Sequence, residues 1–566
     1  MPYRAPLTDL RFVLDHVVGF AKVAETPRFS DAGPETVDAI LSEAGRLCEE
    51  TLAPLNRNGD KHPARLENGV VRTSPGFADG YRAITRGGWV GIAADPAYGG
   101  MGLPLTLATC VNDMMGSACL SLQLNPLMTQ GQIEALEHHA SPAIKALYIP
   151  KLISGDWCAT MNLTEAQAGS DVGALRTKAE PLEDGTYAIT GQKIFITWAD
   201  NDFSQNVCHL VLARLPDGGE GTKGISLFMV PKFIPDDQGN LGARNAVTVV
   251  SLEHKLGLHG SPTAVMQYDG AKGWLVGEAH KGMAAMFTMM NNARLGVGVQ
   301  GISVAEAAFQ QALAYAMERK QGRTPLGNGA IIDHADVRRM LGQMKAEIFA
   351  ARAIALACAV AIDMGRATGD AAWAARAALL TPIAKAYGTD IGNEVAYLGV
   401  QVHGGMGFIE ETGAAQFSRD ARVTAIYEGT NGIQAMDLVG RKMMDGGAAA
   451  FRLIDEIMTS VEAARAPLPD LATPVWTAAE GLRDATVALL AQGGHDRNGG
   501  AVAYLRAFAR VLGGYFHLQA ALADPARVDL ARFYIRRLLP EHGALLAQVR
   551  EGAAGIYALS SEVLQA

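Results

Sequence analysis

With 566 residues, 49% of them hydrophobic and 19% charged, the chain is long enough for several domains and too apolar for a disordered tail. A formal charge of −9, from 49 basic and 58 acidic residues, gives no chain-wide attraction to nucleic acid or an anionic membrane. The six cysteines, Cys48, Cys110, Cys119, Cys158, Cys208 and Cys358, form no C-x-x-C pair and have no histidine grouping beside them, which predicts neither a disulfide framework nor a metal site.

The charged fraction lies below the roughly one quarter of an average soluble domain, so much internal surface and an oligomer are expected. The opening MPYRAPLTDLRFVLDHVVGF carries Asp9 and Asp15 where a secretory signal needs an unbroken apolar run, which predicts a cytoplasmic protein. Over residues 1–157 apolar positions recur at helical spacing; Val37, Ile40, Leu41, Ala44, Leu47 and Cys48 share one face. From 158 to 281 the composition shifts to short β-branched and aromatic runs such as TYAITGQKIFITWA and VCHLVLARL, separated by Gly, Asp and Pro, which predicts a β domain. From 282 to 444 long apolar helices return. The most apolar run, 348–362, is broken by Arg352 and is shorter than the roughly 20 residues of a membrane crossing, so a buried helix is expected. Gly446 and Gly447 interrupt the pattern, and 445–566 reads as a helical extension in which APLPDLATP and QGGHDRNGG serve as connections.

Six segments carry residues suited to chemistry. At 161–180, Thr164, Gly169, Ser170, Asp171 and Gly173 form a loop whose small residues admit a ligand and whose hydroxyls can bond a heterocycle or phosphate; a plain inter-domain connection explains it as well. Phe195, Ile196 and Thr197 close a strand and offer a ring face and a hydroxyl, although aromatics are ordinary strand residues. Asn291 and Arg294 share a face at what reads as a helix start, where an arginine opposes the helix dipole. Arg319, Lys320 and Arg323 cluster at a helix end, suited to the dipole or to a pyrophosphate. Gly399, Gly404, Gly405 and Gly407 exceed what a helix cap needs and fit a backbone lying close against something. Ala425, Ile426 and Tyr427 place Glu428 in an apolar setting before Thr430 and Asn431; helix capping is one reading, a general base of raised pKa the other.

Taken together, the segments resemble the acyl-CoA dehydrogenase family over roughly residues 35–444, in family order. GWVGIAADPAYGGMG at 88–102, MNLTEAQAGSDVGALRTKA, GQKIFITWA, QVHGGMGF and AIYEGTNGIQ carry the likeness. The opening segment, ERKQGR and the helical tail resemble the large subclass that includes 3-methylmercaptopropionyl-CoA dehydrogenases. The resemblance implies a mainly α fold with a central β-barrel domain: an N-terminal α-helical domain (1–157), the barrel (158–281), a helical bundle (282–444) and a helical extension (445–566). It implies FAD as cofactor, an acyl-CoA substrate, electron-transfer flavoprotein as acceptor and a homodimer, with the tail covering surface that a second dimer covers in smaller, tetrameric members. Glu428 matches the base that removes the α-proton while the β-hydrogen leaves as hydride to flavin N5, and its backbone N–H a bond to the thioester oxygen. Met161, Leu163, Thr164, Gly169 and Ser170 match the flavin and substrate loop, and Phe195, Ile196 and Thr197 the ring-facing strand. Arg319, Gln401, Gly404, Gly405 and Thr430 match further FAD contacts, while Ser170, Asn291, Arg294 and Gly429 match substrate positions. The implied reaction is conversion of an acyl-CoA to its trans-2-enoyl-CoA, with 3-methylmercaptopropionyl-CoA to methylthioacryloyl-CoA ahead of straight short- to medium-chain thioesters. Gly322, Asn291, Gly432 and His334 depart from the residues common at those positions.

Three other readings compete. An acyl-CoA oxidase would reoxidise rapidly in air. A flavin-bearing nucleic-acid-binding protein needs a basic face, whereas 451–566 mixes Arg with Asp and Glu. A flavin-free assembly protein would be colourless.

Overall fold

The computed structural model describes residues 3–327 and 329–566. The chain divides into two compact units, each assembled from segments distant in sequence. One comprises Glu43–Leu103 and Met114–Ala293, the other Met1–Ser42, Pro104–Asp113 and Arg294–Ala566.

The first unit contains the β domain. The strands of its main sheet are β1 (Trp157–Asn162), β2 (Lys178–Pro181), β3 (Tyr187–Thr197), β4 (Asn206–Arg214), β5 (Ile225–Pro231), β6 (Val247–Leu252) and β7 (Thr263–Val276). Strand β7 pairs with β3, β3 with β2, β2 with β4, β4 with β5, and β5 again with β7, so the sheet closes on itself as a barrel. Closure explains why β4 and β5 lack the alternation of a half-exposed strand: both are buried almost throughout. Ile189, Ile196, Val211, Phe228, Val230, Met266 and Tyr268 form the barrel core.

One irregularity matters for function. Along β3 and β7, Ala264 faces Ile196 but Met266 faces Lys193, so Ile194 and Phe195 together oppose Val265. This bulge bends the end of β3, and Phe195 takes φ +59° with its ring 60% exposed.

The second unit is helical. Its principal helices are α1 (Leu105–His139, which continues into the first unit), α2 (Gly282–Glu318, which begins there), α3 (Ala335–Thr368), α4 (Ala371–His403) and α5 (Asn431–Val439), followed by α6 (Ala448–Ala464), α7 (Pro469–Ala491), α8 (Gly494–Ala523) and α9 (Glu541–Glu551). A Cβ on Gly298 would lie 2.5 Å from the Ala384 carbonyl, and one on Gly392 2.7 Å from Gly301, so α2 and α4 cross with their backbones touching. That contact needs glycine, and it draws together the turns carrying Arg294 and Lys385.

Helix α3 has the length and apolarity of a membrane crossing, yet 89% of its most apolar window is buried. Within it Arg352 bonds Asp113 at 2.7 Å and Glu306 at 2.9 Å, which satisfies a charge that the apolar surroundings would otherwise expel. The extension is held by a similar device: Arg510 on α8 donates to Glu347 on α3 at 2.6 Å and to the Tyr387 hydroxyl at 2.9 Å.

Two local expectations fail. Pro469 begins α7 and Gly494 begins α8, so the connections shrink to 465–468 and 492–493, and most of APLPDLATP and QGGHDRNGG is helical. Proline is well tolerated in a first helical turn, where its missing N–H has no partner to lose.

Candidate active site

In the barrel unit, two adjacent pieces of chain are braced by one buried ammonium. Lys193 Nζ donates to the Leu163 carbonyl at 3.0 Å and to Glu165 at 2.8 Å. Glu165 also accepts from the backbone N–H groups of Arg176 (2.7 Å) and Thr177 (3.0 Å), the Thr177 hydroxyl (2.6 Å) and Gln167 (2.7 Å). Burial pushes the Glu165 carboxyl up, but Lys193 and these donors outweigh it and hold its pKa down to about 2. Burial lowers Lys193 to about 8 against the pull of Glu165, so both are charged at neutral pH. The Ile194 N–H closes the brace by donating to the Thr164 carbonyl at 2.9 Å.

Met161 is the penultimate residue of β1, Leu163 is buried, and Thr164 is half-buried; Gly169 and Ser170 are exposed, with open space beside Gly169. Ile196 is buried in the barrel core and Thr197 is half-buried opposite Thr263. An aromatic ring kept in solvent by a left-handed backbone costs free energy on both counts and fits a planar ligand stacked upon it.

In the helical unit, Glu428 has φ +55° and Gly429 φ +85°, two consecutive left-handed residues. Gln434 Nε2 holds this turn by donating to the carbonyls of Glu428 (3.3 Å) and Gly429 (3.4 Å), and a Cβ on Gly429 would lie 2.7 Å from that nitrogen. Thr430 is the N-cap of α5, its hydroxyl accepting from the Ile433 N–H at 3.2 Å. Capping therefore belongs to Thr430, and the Glu428 side chain is left without that task. The residue is half-buried, and among the described residues no donor bonds its carboxylate and nothing accepts from its own N–H. Burial raises its pKa to about 7, opposed by the positive charges of Arg294 and Lys385.

Arg294 is buried within α2, which begins at Gly282; it does not open a helix, as the spacing had suggested. Asn291, on the same helix, is exposed. Arg319 follows the end of α2 and is exposed, its backbone carbonyl tied to the Ile331 N–H at 2.8 Å. Gln401 is exposed, and added Cβ atoms on Gly404 and Gly405 would meet nothing. The close approach inferred from this glycine run is made by Gly407, whose Cβ would lie 2.2 Å from the Val400 carbonyl.

Sequence reasoning passes over Lys193, Glu165, Lys385 and Gln434, and offers Asn431 only as a capping residue. The available signal was a lysine inside an otherwise apolar or small-residue stretch, as in TPIAKAYG.

Four domain profiles cover most of the chain: the acyl-CoA dehydrogenase N-terminal domain at 34–156, middle domain at 160–271 and C-terminal domain at 280–444, and an acetyl-CoA dehydrogenase C-terminal-like domain at 453–560. A 3-methylmercaptopropionyl-CoA dehydrogenase of Ruegeria pomeroyi is 48% identical over 465 residues, 81% of this chain and 79% of its own length. The chain belongs to the acyl-CoA dehydrogenase family. A broad-specificity linear acyl-CoA dehydrogenase of Mycobacterium tuberculosis is 36% identical, with 81% of this chain and 78% of the relative covered. A butyryl-CoA dehydrogenase of Syntrophomonas wolfei is 34% identical, with 78% and 75% covered. Among solved structures, Caenorhabditis elegans ACDH-11 in complex with C11-CoA shares the fold, with a TM-score of 0.79 over 95% of this chain and 92% of that one at 21% identity. The protein is thus an oxidoreductase with acyl-CoA dehydrogenase activity, and acyl-CoA dehydrogenases are FAD-dependent flavoproteins. The residues present fit that cofactor: an exposed ring at Phe195 and open glycine backbone at 404–405 suit a flat heterocycle and a diphosphate.

Proposed function

We propose that the protein desaturates an acyl-CoA thioester between Cα and Cβ, with Glu428 as the base and 3-methylmercaptopropionyl-CoA as the preferred substrate. The observation that carries the base is the carboxylate itself: half-buried, bonded by no donor among the described residues, and raised to a pKa of about 7. A carboxylate saturated with donors is a poor proton acceptor, and an unbonded one at this pKa matches neutral pH. When the thioester occupies the site, Glu428 takes the α-proton and its free backbone N–H is available to the carbonyl oxygen on which charge develops. Gln434 keeps that N–H and the carboxylate fixed by holding the two carbonyls of the turn. FAD, when bound, supplies the two-electron oxidant that receives the β-hydrogen as hydride.

Met161, Leu163, Thr164, Gly169, Ser170, Phe195, Ile196 and Thr197 would hold the flavin ring, and Arg319, Gln401, Gly404, Gly405 and Thr430 the rest of the cofactor. Ser170, Asn291, Arg294 and Gly429 would meet the thioester and its CoA. The Lys193–Glu165 brace supports this by fixing both ring-facing segments to one point. Electron-transfer flavoprotein as acceptor, a cytoplasmic location and a homodimer complete the reading. The exposed Tyr397, Met406 and Phe408, the last 86% exposed, supply apolar surface for a second subunit.

The methylthio substrate rests on the R. pomeroyi relative's name, and the butyryl-CoA and linear acyl-CoA relatives favour straight-chain thioesters as the second reading. Steady-state kinetics with 3-methylmercaptopropionyl-CoA, butyryl-CoA and octanoyl-CoA separates them. A kcat/KM highest for the methylthio thioester is expected; a preference for octanoyl-CoA would reverse the assignment.

A further inference from the structure

The most heavily buried lysine of the helical unit has no ordinary partner. Lys385, inside α4, is 0% exposed, and among the described residues its ammonium makes one hydrogen bond, to Asn431 Oδ1 at 2.9 Å, and no salt bridge. Three N–H donors with one acceptor, out of water, are costly to keep. A methionine would fill the same volume without that penalty, so the charge has a use.

Its surroundings show which. Asn431 is the first residue of α5 and stands three positions after Glu428. Its amide cannot rotate freely: the two N–H groups of Nδ2 face Asp390 at 2.7 Å and the Ala386 carbonyl at 3.2 Å, and Oδ1 accepts from the Thr389 hydroxyl at 3.2 Å as well as from the ammonium. One turn of α4 therefore grips the residue that follows the base loop, while Gln434 grips the loop's carbonyls from within α5. The charged groups around Lys385 are Glu428 and Asp390, which favour its ionised form, and Arg294 on α2, which opposes it. Around Arg294 stand Asp437, Glu428 and Arg441, and Asp390 in turn faces Arg506 and Glu394. Among the described residues no carboxylate forms a salt bridge with Lys385, and of the two carboxylates whose charge it feels, Glu428 acts more strongly than Asp390.

We propose that Lys385 is a positioning residue for the dehydrogenation: its tether to Asn431 places the Glu428 turn, and its charge keeps the base ionised enough to work at neutral pH. This rests on the reading of Glu428 as the base. The two contributions separate by substitution. In the flavin-loaded enzyme with butyryl-CoA, Lys385→Met raises the acid limb of the kcat/KM profile by about one pH unit, because a lost positive charge makes the carboxyl harder to ionise. Lys385→Arg brings the limb back toward the wild-type value. Asn431→Leu leaves the limb in place and lowers the plateau kcat by about tenfold, because the charge remains and the tether is gone. Lys385→Gln, which removes the charge but keeps a donor, gives a second reading of the limb if Lys385→Met does not retain flavin.

An unmoved limb in both neutral variants, with Glu428→Gln inactive, would overturn the role of the lysine and leave the base standing. A wild-type plateau in Asn431→Leu would overturn the tether. Normal turnover in Glu428→Gln would remove the base, and this proposal with it.

Discussion

Two glutamates, each beside a buried lysine whose pKa burial lowers to about 8, behave in opposite ways. In the barrel unit Glu165 accepts from Lys193 directly and from four further donors, and its pKa falls to about 2. In the helical unit Glu428 is touched by no donor among the described residues, Lys385 acts on it only through space, and its pKa rises to about 7. Both carboxylates lose water and both have a cation nearby. The difference lies first in the charge of Lys193 in direct contact with Glu165 and then in the hydrogen bonds to the carboxylate, neither of which Glu428 has. The first arrangement makes an anchor. The second leaves a carboxylate ready to accept a proton.

The sharpest way to break this contrast is to neutralise each carboxyl in turn. Glu428→Gln is expected to lower kcat by about 10²- to 10⁴-fold, the range a general base contributes, while flavin content stays constant. Glu165→Gln is expected to act on stability: it leaves Lys193 buried without its carboxylate, which costs about 3 to 5 kcal/mol and is read by denaturant unfolding of the flavin-loaded enzyme. Its acid limb of kcat/KM should not move. If Glu165→Gln shifted that limb, or Glu428→Gln mainly unfolded the protein, the two roles would be interchanged.

The pH dependence of stability sharpens the same comparison. The Glu165 pKa is depressed from 4.5 to about 2, so its contribution is complete above pH 4.5 and is lost as pH falls toward 2. The Glu428 pKa is raised from 4.5 to about 7, so the folded state holds that proton more tightly and stability declines as pH rises through the same interval. Glu428→Gln should therefore melt higher than wild type above pH 7, and the gap should close below pH 4.5. The smallest effect is expected at the ring-facing strand: Phe195→Ala should weaken FAD retention by about fivefold, measured as flavin released on dilution, because one stacking contact is worth about 1 kcal/mol.

Much of the fold was legible in local signals. The shift from helical spacing to β-branched runs marks the β domain, the strand end at Thr197 follows from residue type and spacing, and a cap at Thr430 or Asn431 does too, with the structure choosing Thr430. Arg294 reads as near a helix start because Met283–Met290 is apolar or small nearly all round and Asn291 and Asn292, residues of a preferred capping type, mimic a cap inside α2. The supporting residues of the base were illegible for a different reason. A lysine in TPIAKAYG marks a charge in an apolar stretch but not its partner; it meets Asn431 only because α5 packs on α4, where Asp390 and Ala386 hold the Asn431 amide. The Phe195 bulge likewise depends on β7, whose residues Ala264 and Met266 face Ile196 and Lys193 from far along the chain, and no window around Phe195 contains them.

The central claim is that the unbonded carboxyl of Glu428 removes the α-proton. It is tested most directly by following anaerobic bleaching of the flavin absorbance with limiting butyryl-CoA from about pH 5 to 9, in wild type and in Glu428→Gln. The account predicts a wild-type rate that climbs with pH through a pKa near 7, and a variant rate slower by at least about 100-fold with no such climb. A wild-type rate independent of pH, or bleaching of the glutamine variant at the wild-type rate, would contradict it.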